Sequence, residues 1–255
     1  MLSFNAIYII WLREMTRFFR AKSRVIASLS MPFFFLIFLG LGFNAAAKFS
    51  GIPQGIAYID FLAPGIIGMT LLFDSLSSGL SVIWDRQFGF LKEIMVAPVD
   101  RLSIVAGKIL GGVTTALMQG ILILLIASGI GVKITGFTGF LSSIVFMVLI
   151  AVSFVALGLV FASQIEDMHG FQLITRLFAF PVFFLSGAFF PPDNLPVWLR
   201  YLTYVNPLTY GVDGLRYCLI GITHFSVTLD VLVLVCFSTL MIILSTYLFS
   251  RIEVD

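Results

Sequence analysis

Asp74 is the residue of this sequence that most demands an account, because it places a carboxylate in the middle of an apolar run, residues 61–83. A charge held in hydrocarbon costs about 2.5–3.5 kcal/mol on insertion scales, so such a group is retained only where it has work or a partner. Its neighbours Ser75, Ser77, Ser78, Gly79 and Ser81 are small and polar, a composition that suits close helix contact or the wall of a wet path. Two readings fit: a pathway-facing carboxylate with Ser75 and Ser78 beside it, or an acid hydrogen-bonded between helices. The same group would also serve an ion-gradient-driven secondary carrier. That alternative asks for repeats with broken helices in corresponding places, and the proline break after Phe190 has no counterpart in the first half.

The remaining reactive side chains do not assemble into catalysis. Glu166, Asp167 and His169 cluster in a short turn with Arg176 following, which reads as a solvated turn rather than a metal or proton-relay site. Asp213 and Arg216, spaced i, i+3, read as an ordinary ion pair. His224 stands alone, and Cys218 and Cys236 form neither a disulfide framework nor a metal motif. No histidine pair, nucleophile elbow or paired carboxylate is present, so no enzyme and no metal site is expected. The Gly107-Lys108 pair is followed by Ile109, so there is no phosphate-cradling loop, and nucleotide hydrolysis would belong to another chain.

The elements that must position these residues follow from composition. The chain has 255 residues, 60% of them hydrophobic and 11% charged, with a net charge of +2, and a mean hydropathy of +1.09. Soluble domains carry about 25% charged residues, so this composition excludes a water-soluble globule and a disordered chain. The small net charge also argues against a nucleic-acid partner. Apolar stretches long enough to cross about 30 Å of hydrocarbon lie at residues 25–47, 61–83, 104–132, 139–163, 171–190 and 228–250. The expected fold class is therefore an all-α integral membrane protein with six transmembrane helices, since lipid leaves helix as the only state for such runs.

Basic residues give the orientation. Eleven of the 15 Lys and Arg fall at the N-terminus, in the 84–108 connection and at Arg176 and Arg251, against four on the other side. By the positive-inside rule both termini lie in the cytoplasm of a cell-membrane protein. Residues 1–24 read as one amphipathic helix, with Arg13, Arg17, Arg20 and Arg24 on one face and Ile7, Trp11, Met15 and Phe18 opposite. Such a helix lies on the inner leaflet, either as a lipid anchor or as a partner contact.

Two hydrophilic connections are long enough to hold structure. In the cytoplasmic one, residues 87–96 suit a short amphipathic helix with Phe88, Leu91 and Met95 on one side, ended by Pro98. In the external one, Pro191, Pro192 and Pro196 stop the preceding helix, and an aromatic stretch broken at Asn206-Pro207 follows. That stretch predicts two half-buried helices, about 195–204 and 207–220, re-entering the outer leaflet.

These two segments, Phe88 to Arg101 with Gly107-Lys108, and Phe189 to Gly214 with Asn206-Pro207-Leu208-Thr209-Tyr210, resemble the signature regions of the ABC-2 type transporter permeases. Within that family the chain is similar to drug-resistance and nodulation-factor export permeases over essentially its whole length. The resemblance implies a half-transporter: two copies, or this chain plus a sister permease, bind two copies of a separate ABC ATPase. ATP and Mg would sit on that ATPase, with no cofactor on this chain, and the cargo would be an amphipathic or lipid-linked molecule such as a drug, lipid or glycolipid. It further implies that Phe88, Leu91, Lys92, Glu93, Met95, Pro98 and Arg101 belong to an ATPase-coupling element. By the same resemblance Trp11, Arg13, Arg17 and Arg20 pack beside that element. Pro191, Pro192, Trp198, Asn206, Pro207 and Tyr210 would belong to an external gate.

Overall fold

The computed structural model describes residues 3–43, 55–90, 93, 99–132 and 135–251, with the side chain of Arg24 excepted. All regular structure among the described residues is helical. In chain order the helices are α1 (Phe4–Arg20), α2 (Lys22–Phe34, running on as a π-helical stretch Phe35–Leu41), α3 (Tyr58–Ser78), α4 (Leu80–Gln87) and α5 (Arg101–Ile130). Then come α6 (Gly136–Gln164), α7 (Met168–Phe184), a 3₁₀ turn Pro192–Asn194, α8 (Val197–Val205), α9 (Pro207–Ile220) and α10 (Val227–Ser250).

Four of these stretches, Tyr58–Gln87, Arg101–Ile130, Gly136–Gln164 and Val227–Ser250, are by themselves long and apolar enough to cross a membrane. A fifth arises if the bent pair Phe4–Arg20 and Val25–Leu41, whose axes meet at 69°, is taken as one span. The expected span at 171–190 corresponds to α7, which leaves helical geometry at Leu185 and turns through Gly187 at φ +72°. Residues 44–47 of the first expected span lie outside the described residues.

Local chemistry corrects two boundaries. Ala21, at φ −93° and ψ 54°, separates α1 from α2, so the N-terminal segment is two helices and Arg24 does not share a helix with Arg13 and Arg17. The helix expected over 87–96 cannot start at Gln87, because Gln87 closes α4 and Gly89 follows at φ +74°, a left-handed conformation that glycine adopts without a Cβ penalty. Phe88 is therefore a turn residue, and Leu91, Lys92, Met95 and Pro98 lie outside the described residues. The two helices expected over 195–204 and 207–220 appear as α8 and α9, with Pro207 at the first position of α9, where its missing N–H costs nothing.

The core forms around α3 and α6. Every residue of α3 from Tyr58 to Leu72 is buried, and α6 packs against α3, α5, α9 and α10. Such close helix approach needs small residues at the crossing. A Cβ at Gly158 of α6 would lie 2.6 Å from the Leu76 carbonyl oxygen of α3, and one at Gly79 would strike the Gly158 carbonyl. The break between α3 and α4 thus sits where two backbones touch.

Gly158→Val is expected to destabilise the purified protein by about 1–3 kcal/mol, the cost typical of overpacking, and so to lower its thermal unfolding midpoint. Gly129→Ala, where an added Cβ meets nothing within 4 Å, should leave the midpoint unchanged or slightly raised. Equal midpoints for Gly158→Val and wild type would mean that this crossing does not fix the bundle.

Candidate functional site

The charges that the sequence scatters over α1, α4 and α5 converge on one carboxylate. Asp85 of α4 is 2% exposed, and Lys108 of α5, 3% exposed, places Nζ 2.5 Å from Asp85 Oδ2. Arg13 donates to the same oxygen, and Arg17 Nη2 donates to Oδ1 at 3.2 Å. Lys108 uses its other two donors on Glu14 Oε1 at 2.8 Å and Ser81 Oγ at 3.0 Å, so all three ammonium hydrogens are spent. Arg17 also lies 3.8 Å from Glu14 Oε2.

The helices permit this convergence through small residues and stacked rings. A Cβ at Gly107 would meet Ile10, and one at Gly111 would meet Glu14, each at 2.8 Å, so the GxxxG spacing of α5 forms a seat for α1. Trp11 Nε1 donates to Thr114 Oγ1 at 3.1 Å. The Arg13 guanidinium lies 4.3 Å over the Phe90 ring and that of Arg17 5.9 Å over Trp84. The apolar face of α1 is thus turned onto protein, with Ile10 and Met15 buried. A second strip, Tyr8, Ile9, Leu12 and Phe19, is exposed. Arg20 is exposed and outside the cluster.

Three positive and two negative groups meet here, so each carboxylate is favoured in its ionised form. Burial works against the Glu14 carboxylate, yet Lys108, Arg17 and Arg13 outweigh it and hold its pKa below the ordinary 4.5. A depressed acid pKa stabilises the fold fully above the unfolded value, and that contribution is lost as pH falls through the lowered folded value.

Asp74 lies elsewhere, about 10 Å deeper along the helical run than Ser81, at 1.5 Å rise per residue. The Gln119 side chain of α5 hydrogen-bonds it, and Ser28 of α2 donates to Gln119 Oε1. Ser75 is buried, and Ser78 Oγ donates to the Ser75 carbonyl at 2.6 Å. Asp74 and Ser78 line a cavity of about 100 Å³ that reaches Glu14, Arg17 and Lys108. Ser75 is not among its lining residues.

In the connection between α4 and α5, Phe88 is 81% exposed and Glu93 is exposed. Arg101, also exposed, donates to the Ser250 carbonyl at the end of α10. Nearby, Arg86 meets Glu166 at 3.6 Å, and Asp167 caps α7 by accepting from Gly170 N at 2.5 Å.

At the other end, Asn206 is a local organiser. Its Nδ2 donates to the Val182 carbonyl at 2.6 Å, and its Oδ1 accepts from Leu208 N at 3.0 Å as the cap of α9. Tyr210 donates to the Tyr204 carbonyl at 2.7 Å, tying α9 to α8. Pro191 and the buried Pro192 open the 3₁₀ turn, while Trp198 is 66% exposed.

The expected Asp213–Arg216 ion pair does not form. Asp213 accepts from Thr223 Oγ1 at 2.8 Å and from the backbone of His224 and Phe225 at 2.9 Å, fixing the turn before α10. Arg216 instead donates to the Gly187 carbonyl at 3.1 Å and stacks 3.8 Å over Phe61. On α9 both side chains are drawn away by tertiary partners stronger than an i, i+3 pair.

Sequence reasoning missed Asp85, Glu14 and Lys108 as a site. The available signal was Lys108, a cation inside the apolar 104–132 run that required a partner as much as Asp74 did. Asp85→Asn leaves Lys108 buried with reduced compensation and is expected to cost about 3–5 kcal/mol. Lys108→Met in that background should recover part of the loss. Thermal unfolding of the four proteins of this cycle checks it, and additive effects would show the two side chains to be independent. The same assay run downward from pH 7 should show Glu14→Gln converging with wild type only below pH 4.5, the ordinary value of this carboxyl.

The ABC-2 type transporter family model matches residues 5–220, a stretch that holds the ionic cluster, Asp74 and α8–α9. The chain is 30% identical to the inner membrane transport permease YadH of Escherichia coli K12, over 89% of this chain and 88% of that one. It is 28% identical to a transport permease, ycf38, of Cyanophora paradoxa, over 78% and 68% of the two chains. It is also 32% identical to the probable multidrug ABC transporter permease YbhR of Escherichia coli K12, over 60% of this chain and 42% of that one. With helices built to cross a bilayer and a family match across most of its length, the chain belongs to the ABC-2 type transporter family, as a multi-pass transmembrane transport subunit.

Proposed function

We propose that this chain is the permease half of an ATP-driven exporter that moves an amphipathic or lipid-linked molecule out of the cytoplasm. In this reading it crosses the cell membrane six times with both termini inside, α1 lies at the inner leaflet, and α8 and α9 re-enter from the outer side. Two permeases, identical or sister chains, dock two copies of an ABC ATPase that holds the ATP and Mg. The family supports an ATPase partner. The name of the YbhR relative supports small amphipathic cargo.

The observation that carries the reading is the ionic cluster. The connection 88–100 leaves α4 just after Asp85 and enters α5 seven residues before Lys108, and these two side chains are joined to each other and to α1. A push on that connection therefore moves α1, α4 and α5 together rather than bending one helix. Gly79, where α4 leaves α3, packs against the Gly158 carbonyl of α6, so movement of that unit would bear directly on the core. In this account Phe88, Leu91, Lys92, Glu93, Met95, Pro98 and Arg101 form the surface that takes the push. At the far end Pro191, Pro192, Trp198, Asn206, Pro207 and Tyr210 belong to the element that opens.

The purified chain alone should hydrolyse no ATP, and hydrolysis with cargo movement into inverted vesicles should appear only with a partner ATPase. Transport that persists without ATP or partner would overturn the proposal. Glu93→Lys is expected to leave insertion and hydrolysis intact while cutting cargo movement at least tenfold; unchanged movement would remove Glu93 from the coupling surface. Protease should reach tags on both termini in inverted but not right-side-out vesicles, as six spans require.

A further inference from the structure

The cavity between the α1–α2 elbow and the inner halves of α3 and α5 has an ionic mouth and a separate polar end. At the mouth, Lys108 and Arg17 are already neutralised by Asp85 and Glu14. At the polar end, Asp74 receives the amide of Gln119, while its Oδ2 is buried with no hydrogen-bond partner. Ser28 holds the Gln119 carbonyl oxygen, which turns the amide nitrogen toward Asp74. Asp74 is thus the carboxylate of this cavity whose charge no cationic side chain answers among the described residues. A carboxylate left so in a weakly hydrated pocket is costly unless a cation or proton joins it.

We propose that this cavity binds the ammonium head of an amphipathic amine, with Asp74 as its counter-ion. The volume of about 100 Å³ exceeds several-fold the roughly 10–15 Å³ that a single water requires, so a small ammonium group fits. The wall formed by Phe18, Val25 and Leu80 is apolar, and Phe18 and Val25 flank the Ala21 break on either side. The tail of an amphipath lying in the inner leaflet would follow that wall while its head passes inward. Ser77 and Thr115 supply acceptor oxygens around the head. Binding there would couple to the rest of the chain because α1, one wall of the cavity, is also tied to the ionic cluster.

This inference rests on reading the chain as a transport subunit for amphipathic cargo, but binding can be measured without the ATPase. Radiolabelled dodecylamine, added to the full-length permease in lipid nanodiscs, is expected to bind at least tenfold more tightly than dodecanol or dodecanoate in competition. Asp74→Asn should abolish that preference, and Asp74→Glu should retain most of it. Thr115→Met, which fills the cavity and leaves the carboxylate in place, should weaken dodecylamine binding at least tenfold, and it carries the test if Asp74→Asn fails to fold. Wild-type affinity in both Asp74→Asn and Thr115→Met, or tighter binding of dodecanoate by wild type, would overturn the proposal. ATP-driven export that survives loss of this binding would sink the site and leave the exporter reading standing; intact binding in a chain that never exports with an ATPase would do the reverse.

Discussion

A buried ammonium cannot be left without a carboxylate, and much of one end of this protein is arranged around that constraint. Lys108 enters the bundle on a largely apolar helix, and Asp85 and Glu14 are brought to it from two other helices. Two charges taken out of water repay their desolvation only with close geometry and filled hydrogen-bonding capacity, and here three donors meet three acceptors. Arg13 and Arg17 then complete Asp85 from α1. The cost of undoing any one of these contacts is what holds an amphipathic N-terminal helix against the membrane-crossing helices.

Close approach of backbones is the second condition. Gly107 and Gly111 let α1 sit on α5, and Gly79 and Gly158 let α3 and α6 cross where the α3–α4 run is interrupted. The opposite end uses a different device. There proline and asparagine stop and restart helices, and side chains such as Asn206, Asp213 and Tyr210 satisfy the freed backbone groups. Unsatisfied backbone is intolerable in a low-dielectric setting, so broken helices survive where side chains close the gaps. The two ends therefore differ in character: charge pairing and glycine contact around Asp85, capping and aromatic packing around α8 and α9.

Much of the helix pattern was legible from hydropathy. α5, α6 and α10 fall within three residues of their expected limits, because long apolar runs have no other stable state in lipid. Asp74 was also legible as an anomaly, and Gln119 was not, since a glutamine on another helix announces nothing about which residue it faces. The Asp213–Arg216 pair illustrates the limit of local spacing: i, i+3 proximity offers a few tenths of a kcal/mol, about what tertiary hydrogen bonds exceed. Boundaries at Ala21 and Gly89 were missed because the apolar periodicity continues across them while the backbone does not.

By itself, then, the sequence determined that this is a helical membrane protein and where its long apolar helices lie, because composition and hydropathy along one chain suffice for those. Only the tertiary structure decided that Asp85, Lys108, Glu14, Arg13 and Arg17 are one cluster, that Arg13 and Arg17 of α1 turn onto protein, and that Asp74 shares a cavity with Gln119. The physical reason is that charge pairing acts through space over a few ångströms, and residues up to 94 positions apart in the chain come within that distance only once the helices have packed.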